Sequence, residues 1–412
     1  MSLNRIGRNT GCTAATRWLL ALGAAAALAA CGGGGGDAVV TGTNGTVRVA
    51  LTDAPSCGYD HVWVTVEKVR VSQSATAADA DAGWSDITLA APKRIDLLAL
   101  SNGVLEELGT APVPAGHYNQ LRLVLASNGT GASALANSVQ PTGGSETALT
   151  TPSATQSGLK LRANFDVAAG QTADLVLDFD ACRSIVKAGN SGQYLLKPVI
   201  AVVPRIVSGL QGYVTTTLSL GSTTVAAQQD GVTVRSTAPD STGKFSIPFL
   251  STGTYTLVVT SDGHATAVLT GVPAGTTTTV VNGTATAIAP PVSAMADVAG
   301  TVNATSVSGT ATTTTALTTA NVRALQALTG GPTIEVANRP VDGTLGSYAL
   351  RLPVAAPVKA SYAAGTTTTF VADTAVAGKY TLQAQAEGRT ALSQPATVAT
   401  GTPTTANFTF LP

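Results

Sequence analysis

Three histidines, the alternating aspartates Asp178 and Asp180, and the Ser-x-x-Lys spacings that start at Ser157 and Ser184 are features of this 412-residue chain that could support reaction chemistry. A zinc hydrolase needs clustered histidines and carboxylates. His61, His117 and His264 lie in separate segments, without the His-Glu-x-x-His spacing that sets two ligands on one helix face. Serine acyl transfer needs either a Gly-x-Ser-x-Gly elbow, which is absent, or Ser-x-x-Lys with its companions. Ser157 with Lys160 and Ser184 with Lys187 have that spacing, but the Ser-Asp-Asn and Lys-Thr-Gly elements are missing. The glycine run 32–36 has no strand before it and no Lys-Ser/Thr after it, so it is no phosphate loop. These patterns predict no enzyme, no metal site and no cofactor.

Two constellations could bind rather than react. Asp178 and Asp180 alternate, which puts both carboxylates on one face of a strand. With Asp53 or Asp60 beside them they could hold Ca²⁺. The EF-hand pattern is absent, and the preferred reading is two carboxylates on a solvent face. Trp63 has the opposite parity to Val62, Val64 and Val66, and Trp84 follows a glycine in a loop region. Both rings could therefore reach the surface and stack on a glycan, making them the candidate carbohydrate-binding residues. The preferred reading packs Trp63 against a second sheet and Trp84 against a strand edge.

The elements that must position these side chains are strands. Charged residues are 11% of the chain and the formal net charge is zero, so the basic patch of a nucleic-acid binder is missing. Disorder needs low hydrophobicity with high net charge, and neither holds. Abundant Thr and Val favour strands, and Gly-rich punctuation suits turns. Val47, Val49 and Leu51 form one inward set; Leu121, Leu123 and Leu125 another; Leu175, Leu177 and Phe179 a third. Val69 and Val71 break the parity of Val62, Val64 and Val66, which predicts a bulge near Glu67 and Lys68. A short helix is expected over 102–108, capped by Asn102 and ended by Gly109. The Gly/Ser/Thr/Ala-rich stretch 127–157 reads as a long loop or a weakly paired hairpin.

At the N-terminus, Arg5, Arg8 and Arg17 precede a short apolar run ending Leu28-Ala29-Ala30-Cys31, followed by Gly32. The run is too short to span a bilayer and has the order of a secretory signal. Its ending resembles the lipobox of bacterial lipoproteins. That resemblance implies cleavage before Cys31, lipidation of Cys31 and a membrane partner through that lipid. Gly32 rather than Asp at the next position implies the outer membrane. Several acyl chains exceed the roughly two signals that stable anchoring requires. With Cys12 in the removed signal and Cys31 lipidated, Cys57 and Cys182 remain as one pair. In an oxidising compartment these are expected to bridge, stabilising by about 4–5 kcal/mol in the chain-entropy model; two buried free thiols are the alternative.

The run 46–55 (Thr-Val-Arg-Val-Ala-Leu-Thr-Asp-Ala-Pro) is followed by 59–69, Trp84, 95–100, Pro114-Ala-Gly-His-Tyr118 and Leu195-Leu-Lys-Pro-Val199. In order and content this resembles the DUF4382 family, domains of unknown function found in bacterial lipoproteins, over about 44–204. Two further modules share a grammar in which a glycine turn feeds an aromatic-led strand. Gly253-Thr-Tyr255 is one instance, and Gly346-Ser-Tyr348 and Gly378-Lys-Tyr380 are others. This resembles the carboxypeptidase regulatory-like β-sandwich, of the transthyretin-like and carbohydrate-binding-like folds.

The expectation is an all-β chain of tandem β-sandwich-like domains after a cleaved lipoprotein signal peptide. Residues 1–30 are the signal, 31–43 the lipidated Cys and tether, and 44–205 the first domain. Residues 206–289 form a second domain, 290–295 a linker and 296–412 a divergent third. The expected function is non-catalytic: a structural, adhesive or ligand-binding role in the cell envelope, with a glycan or an envelope protein as partner. A carbohydrate-binding lipoprotein is the alternative.

Overall fold

The computed structural model describes residues 43–53, 58–152 and 157–412. The expected signal segment, Cys31 and Cys57 lie outside the described residues. What is described is all-β, with several separate sheets packed around three cores.

In the first domain a four-stranded sheet runs in the order Ile200–Pro204, Thr172–Phe179, Asn44–Asp53, Glu106–Pro114. Its two central strands are parallel and the outer pairings antiparallel. An eight-stranded sheet covers it, built around the long strand Tyr59–Ser72. The three inward sets read from the sequence all enter this core. Register shifts between Val66 and Lys68 against both neighbouring strands, so Glu67 is the extra residue of a bulge. The bulge turns all five valines inward: Val62, Val64, Val66, Val69 and Val71 are each fully buried.

One local expectation is corrected. The helix over 102–108 does not form. A 3₁₀ helix spans Leu97–Gly103, begun by the Asp96 side chain, which accepts from Leu98 N, and Asn102 takes a left-handed φ of 59°. Glu106–Pro114 is a strand instead. Pairing with Asn44–Asp53 outweighs the helical spacing of Leu105 and Leu108, and buries Leu108 between the sheets. The stretch 127–157 holds the weakly paired hairpin of its two readings: Ser138 and Val139 pair antiparallel with Ala148 and Thr147. It contributes Ser138–Pro141 and Thr147–Thr150, and the fully buried Asn137 carboxamide accepts from Thr65 N and donates to Ala126 O. Asn137 thus bridges the gap where Tyr59–Ser72 changes partner strands.

The second domain packs a three-stranded sheet (Lys244–Pro248, Gly209–Tyr213, Thr278–Val280) on a six-stranded one. Tyr255, Leu257 and Val259 share its core, as their alternation requires. The six-stranded sheet is completed by Val358–Ser361 and Val371–Ala372, which lie inside the segment expected to be the third module. The boundaries drawn at 290–295 are therefore crossed. Val358 joins the second core, and the pairing covers the open edge of Ala267–Ala274. The expected linker is pinned as well: Ala265 N donates to Pro291 O and Ser293 N to Gly263 O.

The third domain sets Met295–Ser308 and its partners against a four-stranded sheet of Thr333–Pro340, Asn321–Ala327, Lys379–Gln385 and Leu392–Thr397. The glycine–tyrosine grammar has a structural basis. Tyr118 and Tyr255 each stand two residues after a glycine and donate to the carbonyl four residues back, Pro114 O at 2.7 Å and Ser251 O at 2.9 Å. Tyr348 and Tyr380 instead reach distant segments, donating to Ala406 O and Pro353 O.

Candidate functional site

The two tryptophans do not form one platform. Trp63 pairs with Asp96, and Trp84 with Ser72, at opposite ends of the same strand pair. Trp63 stacks on His61 with ring centroids 4.6 Å apart, and the Arg94 guanidinium lies 4.4 Å from its centroid. His61 Nδ1 lies 2.5 Å from Asp96 Oδ2. Trp84 donates from Nε1 to Ala78 O, and Arg70 and Arg122 approach its ring at 4.9 and 4.6 Å. Both rings are half-buried and already engaged by cation–π contacts.

The histidines stay apart: His117 faces Asp166 at 2.9 Å, and His264 faces Asp262 O. Among the described residues no three His, Cys, Asp or Glu side chains gather as metal ligands. Ser184 is buried and its hydroxyl accepts from Val199 N. Cys182 is disulfide-bonded; Cys57, its expected partner, lies outside the described residues.

Asp178 and Asp180 overturn the solvent-face reading. Asp178 is 8% exposed and faces Arg235 Nη2 of the second domain at 3.1 Å. Burial pushes its carboxyl up to about 6, against the pull of Arg235 and with the help of Asp180. Asp180 accepts from Arg183 N at the start of the short helix Ala181–Ser184. Its carboxyl is also raised by burial, opposed by Arg183 and Arg339. The face that was to meet water meets other domains.

Those contacts belong to a three-domain junction. Asn102, held left-handed, donates from its backbone N to Thr237 Oγ1, and its carboxamide oxygen accepts from Ser246 N. Gln228 and the Glu335 backbone exchange two hydrogen bonds, Nε2 to O at 2.7 Å and N to Oε1 at 2.8 Å. Arg323 ties the Glu335 carboxylate to Gly231 O. Gly189 N donates to Asp342 Oδ2 at 2.7 Å, joining the first domain to the third.

The junction borders a half-open cavity of about 390 Å³. Its floor is the outer face of the second domain's large sheet, where Thr224, Ala226 and Gln228 alternate with the core-facing Val225 and Ala227. Glu335, Arg339 and Arg351 of the third domain roof it, and Asp180 and Arg183 of the first close one side. The volume lies in the range of small-molecule sites. No sequence motif marks it, because its residues come from separate segments; the alternation of 224, 226 and 228 was the sole local signal.

Residues 44–198 match the model of DUF4382, a domain of unknown function, as the sequence resemblance implied. No curated protein matches the chain. Among solved structures, a chain of a type II cohesin–X-dockerin complex from Acetivibrio cellulolyticus is 23% identical with a TM-score of 0.18. The match covers 21% of this chain and 58% of that one. The Bacillus anthracis TIE protein is 13% identical over 90% of this chain and 50% of its own, with a TM-score of 0.16. The pilus adhesin SpaC from Lactobacillus rhamnosus GG is 10% identical over 90% and 44%, with a TM-score of 0.14. Scores this low carry no argument about fold or role.

Proposed function

We propose that this is a lipid-anchored protein of the cell envelope with a non-catalytic, structural or adhesive role. The observation that carries the reading is the set of buried and half-buried polar locks between domains: Asp178 with Arg235, Gln228 with Glu335, and Asn102 with Thr237 and Ser246. Three modules fixed to one another hold a surface at a set distance and angle, as a spacer or adhesive stalk must. The disulfide at Cys182 suits an oxidising, extracytoplasmic compartment. The signal-like order ending at Cys31 supplies the anchor.

The carbohydrate-binding alternative loses its first support, because His61, Arg70, Arg94 and Arg122 already engage the Trp63 and Trp84 rings. The test of the main reading is Cys31→Ala expressed in the native envelope. The protein should move from the membrane to the soluble fraction, and the wild-type N-terminal peptide should carry acyl mass at Cys31. Membrane retention of the variant, or an unmodified Cys31, would refute the anchor.

A further inference from the structure

The junction cavity carries one cation more than its neighbours balance. Arg351 is bonded to Asp262 at 2.8 Å, and Arg183 lies 3.8 Å from Asp180. The Glu335 carboxylate is neutralised by Arg323. Arg339 stands apart from these pairs. It lines the cavity and is exposed, and its guanidinium donates to Asn338 O at 3.3 Å. Among the described residues it has no ion pair; Asp180 acts on it from beyond contact distance.

A second observation points to a ligand. Thr266 lines the same cavity, is 1% exposed, and its hydroxyl has no hydrogen-bond partner among the described residues. Buried hydroxyls are seldom left unpaired, since the hydrogen bonds given up to water then go unreplaced. Thr224 and its cross-strand partner Thr260 add half-buried hydroxyls to the wall.

We infer that the cavity binds a small polyhydroxylated carboxylate, with the chemistry of a sugar acid. The Arg339 fork takes the carboxylate, and the threonine hydroxyls take the ligand's own hydroxyls. One uncompensated guanidinium matches a single negative charge, and its planar donors match a carboxylate in bidentate fashion. Walls of hydroxyl and amide groups suit a hydroxylated body better than an apolar one. This goes beyond the anchoring and adhesive reading and does not depend on it.

The experiment uses detergent-solubilised full-length protein, titrated with D-glucuronate and followed by calorimetry and thermal denaturation. Glucose and inorganic phosphate are the controls. Saturable heat and a rise in melting temperature with glucuronate alone are expected, since a ligand that binds only the folded state stabilises it. Arg339→Gln should weaken binding by about ten-fold or more, equivalent to about 1.4 kcal/mol. Thr266→Val, which keeps shape and removes the hydroxyl, should weaken it several-fold and carries the test if Arg339→Gln does not fold. Absence of saturable binding, equal binding of glucose, stronger binding of phosphate, or unchanged affinity in Thr266→Val would overturn the inference. With binding established, a trimeric uronate of undiminished affinity would identify a glycan end as the source, and a much weaker one a free sugar acid.

Discussion

Replacing Arg235 by Met tests whether the buried pair with Asp178 governs how the first two domains are held. Their side chains are 5% and 9% exposed, and the N–O distance is 3.1 Å. With about 4 Å between charge centres and an effective dielectric near 20, the attraction is about 4 kcal/mol. Removing one partner of a buried pair costs about 3–5 kcal/mol, because the other charge is left behind. The cost must depend on pH. The Asp178 carboxyl is raised from 3.8 to about 6 in the folded protein. A raised carboxyl stabilises the fold when protonated, so its contribution is full below about pH 4 and is lost as pH rises through 6. Over that window the wild type should lose about 3 kcal/mol from this group, each tenfold change in its acidity being worth about 1.4 kcal/mol. In Arg235→Met the pull of the guanidinium is gone, the carboxyl rises further, and the loss extends to higher pH. Urea unfolding at about pH 4.5 and about pH 8 should therefore show the variant about 3 kcal/mol less stable than wild type at the higher pH and much closer to it at the lower. Adding Asp178→Asn to Arg235→Met should restore most of the loss at the higher pH. An equal cost at both pH values, or no rescue by Asn, would refute the reasoning.

Two further substitutions test the fold within domains. A Cβ at Gly300 would overlap Ala406 O, a backbone atom of the neighbouring segment. Gly300→Ala should lower stability by about 3 kcal/mol through overpacking, read by thermal unfolding, and a change below about 1 kcal/mol would count against the packing. Tyr118→Phe and Tyr255→Phe each remove one hydroxyl bonded to the carbonyl four residues back. Each should cost about 1 kcal/mol in urea unfolding, and by similar amounts if the two turns work alike.

What the sequence made legible was the inside of each domain. Alternation placed Val47, Val49 and Leu51, or Tyr255, Leu257 and Val259, because a strand with one buried face must repeat every second residue. The parity break around Glu67 exposed the bulge for the same reason: the valines on both sides must reach one core. The helix expected over 102–108 failed because local spacing competed with a strand partner some 60 residues away in sequence, and pairing with Asn44–Asp53 won. Asn137 was hidden in a stretch whose composition is that of a loop, although its carboxamide completes a gap in a ladder.

The site was illegible for a different reason. Alternation tells which face of a strand is polar, but a polar face is ambiguous between water and another domain. Asp178 reads as solvent-facing and Gln228 lies on the polar face of its strand, yet both are buried at domain junctions, at 8% and 2% exposure. Each is matched by a group far away in sequence, Arg235 in one case and the Glu335 backbone in the other. Such pairs leave no short-range trace, since neither partner's neighbours need change. The apolar share of the contact between the second and third domains is small, a cluster of Val258, Val268, Leu328 and Ile334. The polar pairs add what that cluster lacks, a fixed direction, because hydrogen bonds constrain angle as well as distance. The cavity follows from that fixed direction. Thr224 on the floor and Arg339 on the roof face one space only while Gln228 and Glu335 hold the two sheets in register. A site assembled from three domains is thus as stable as its locks, and weakening the locks should dissolve the site before it unfolds any one domain.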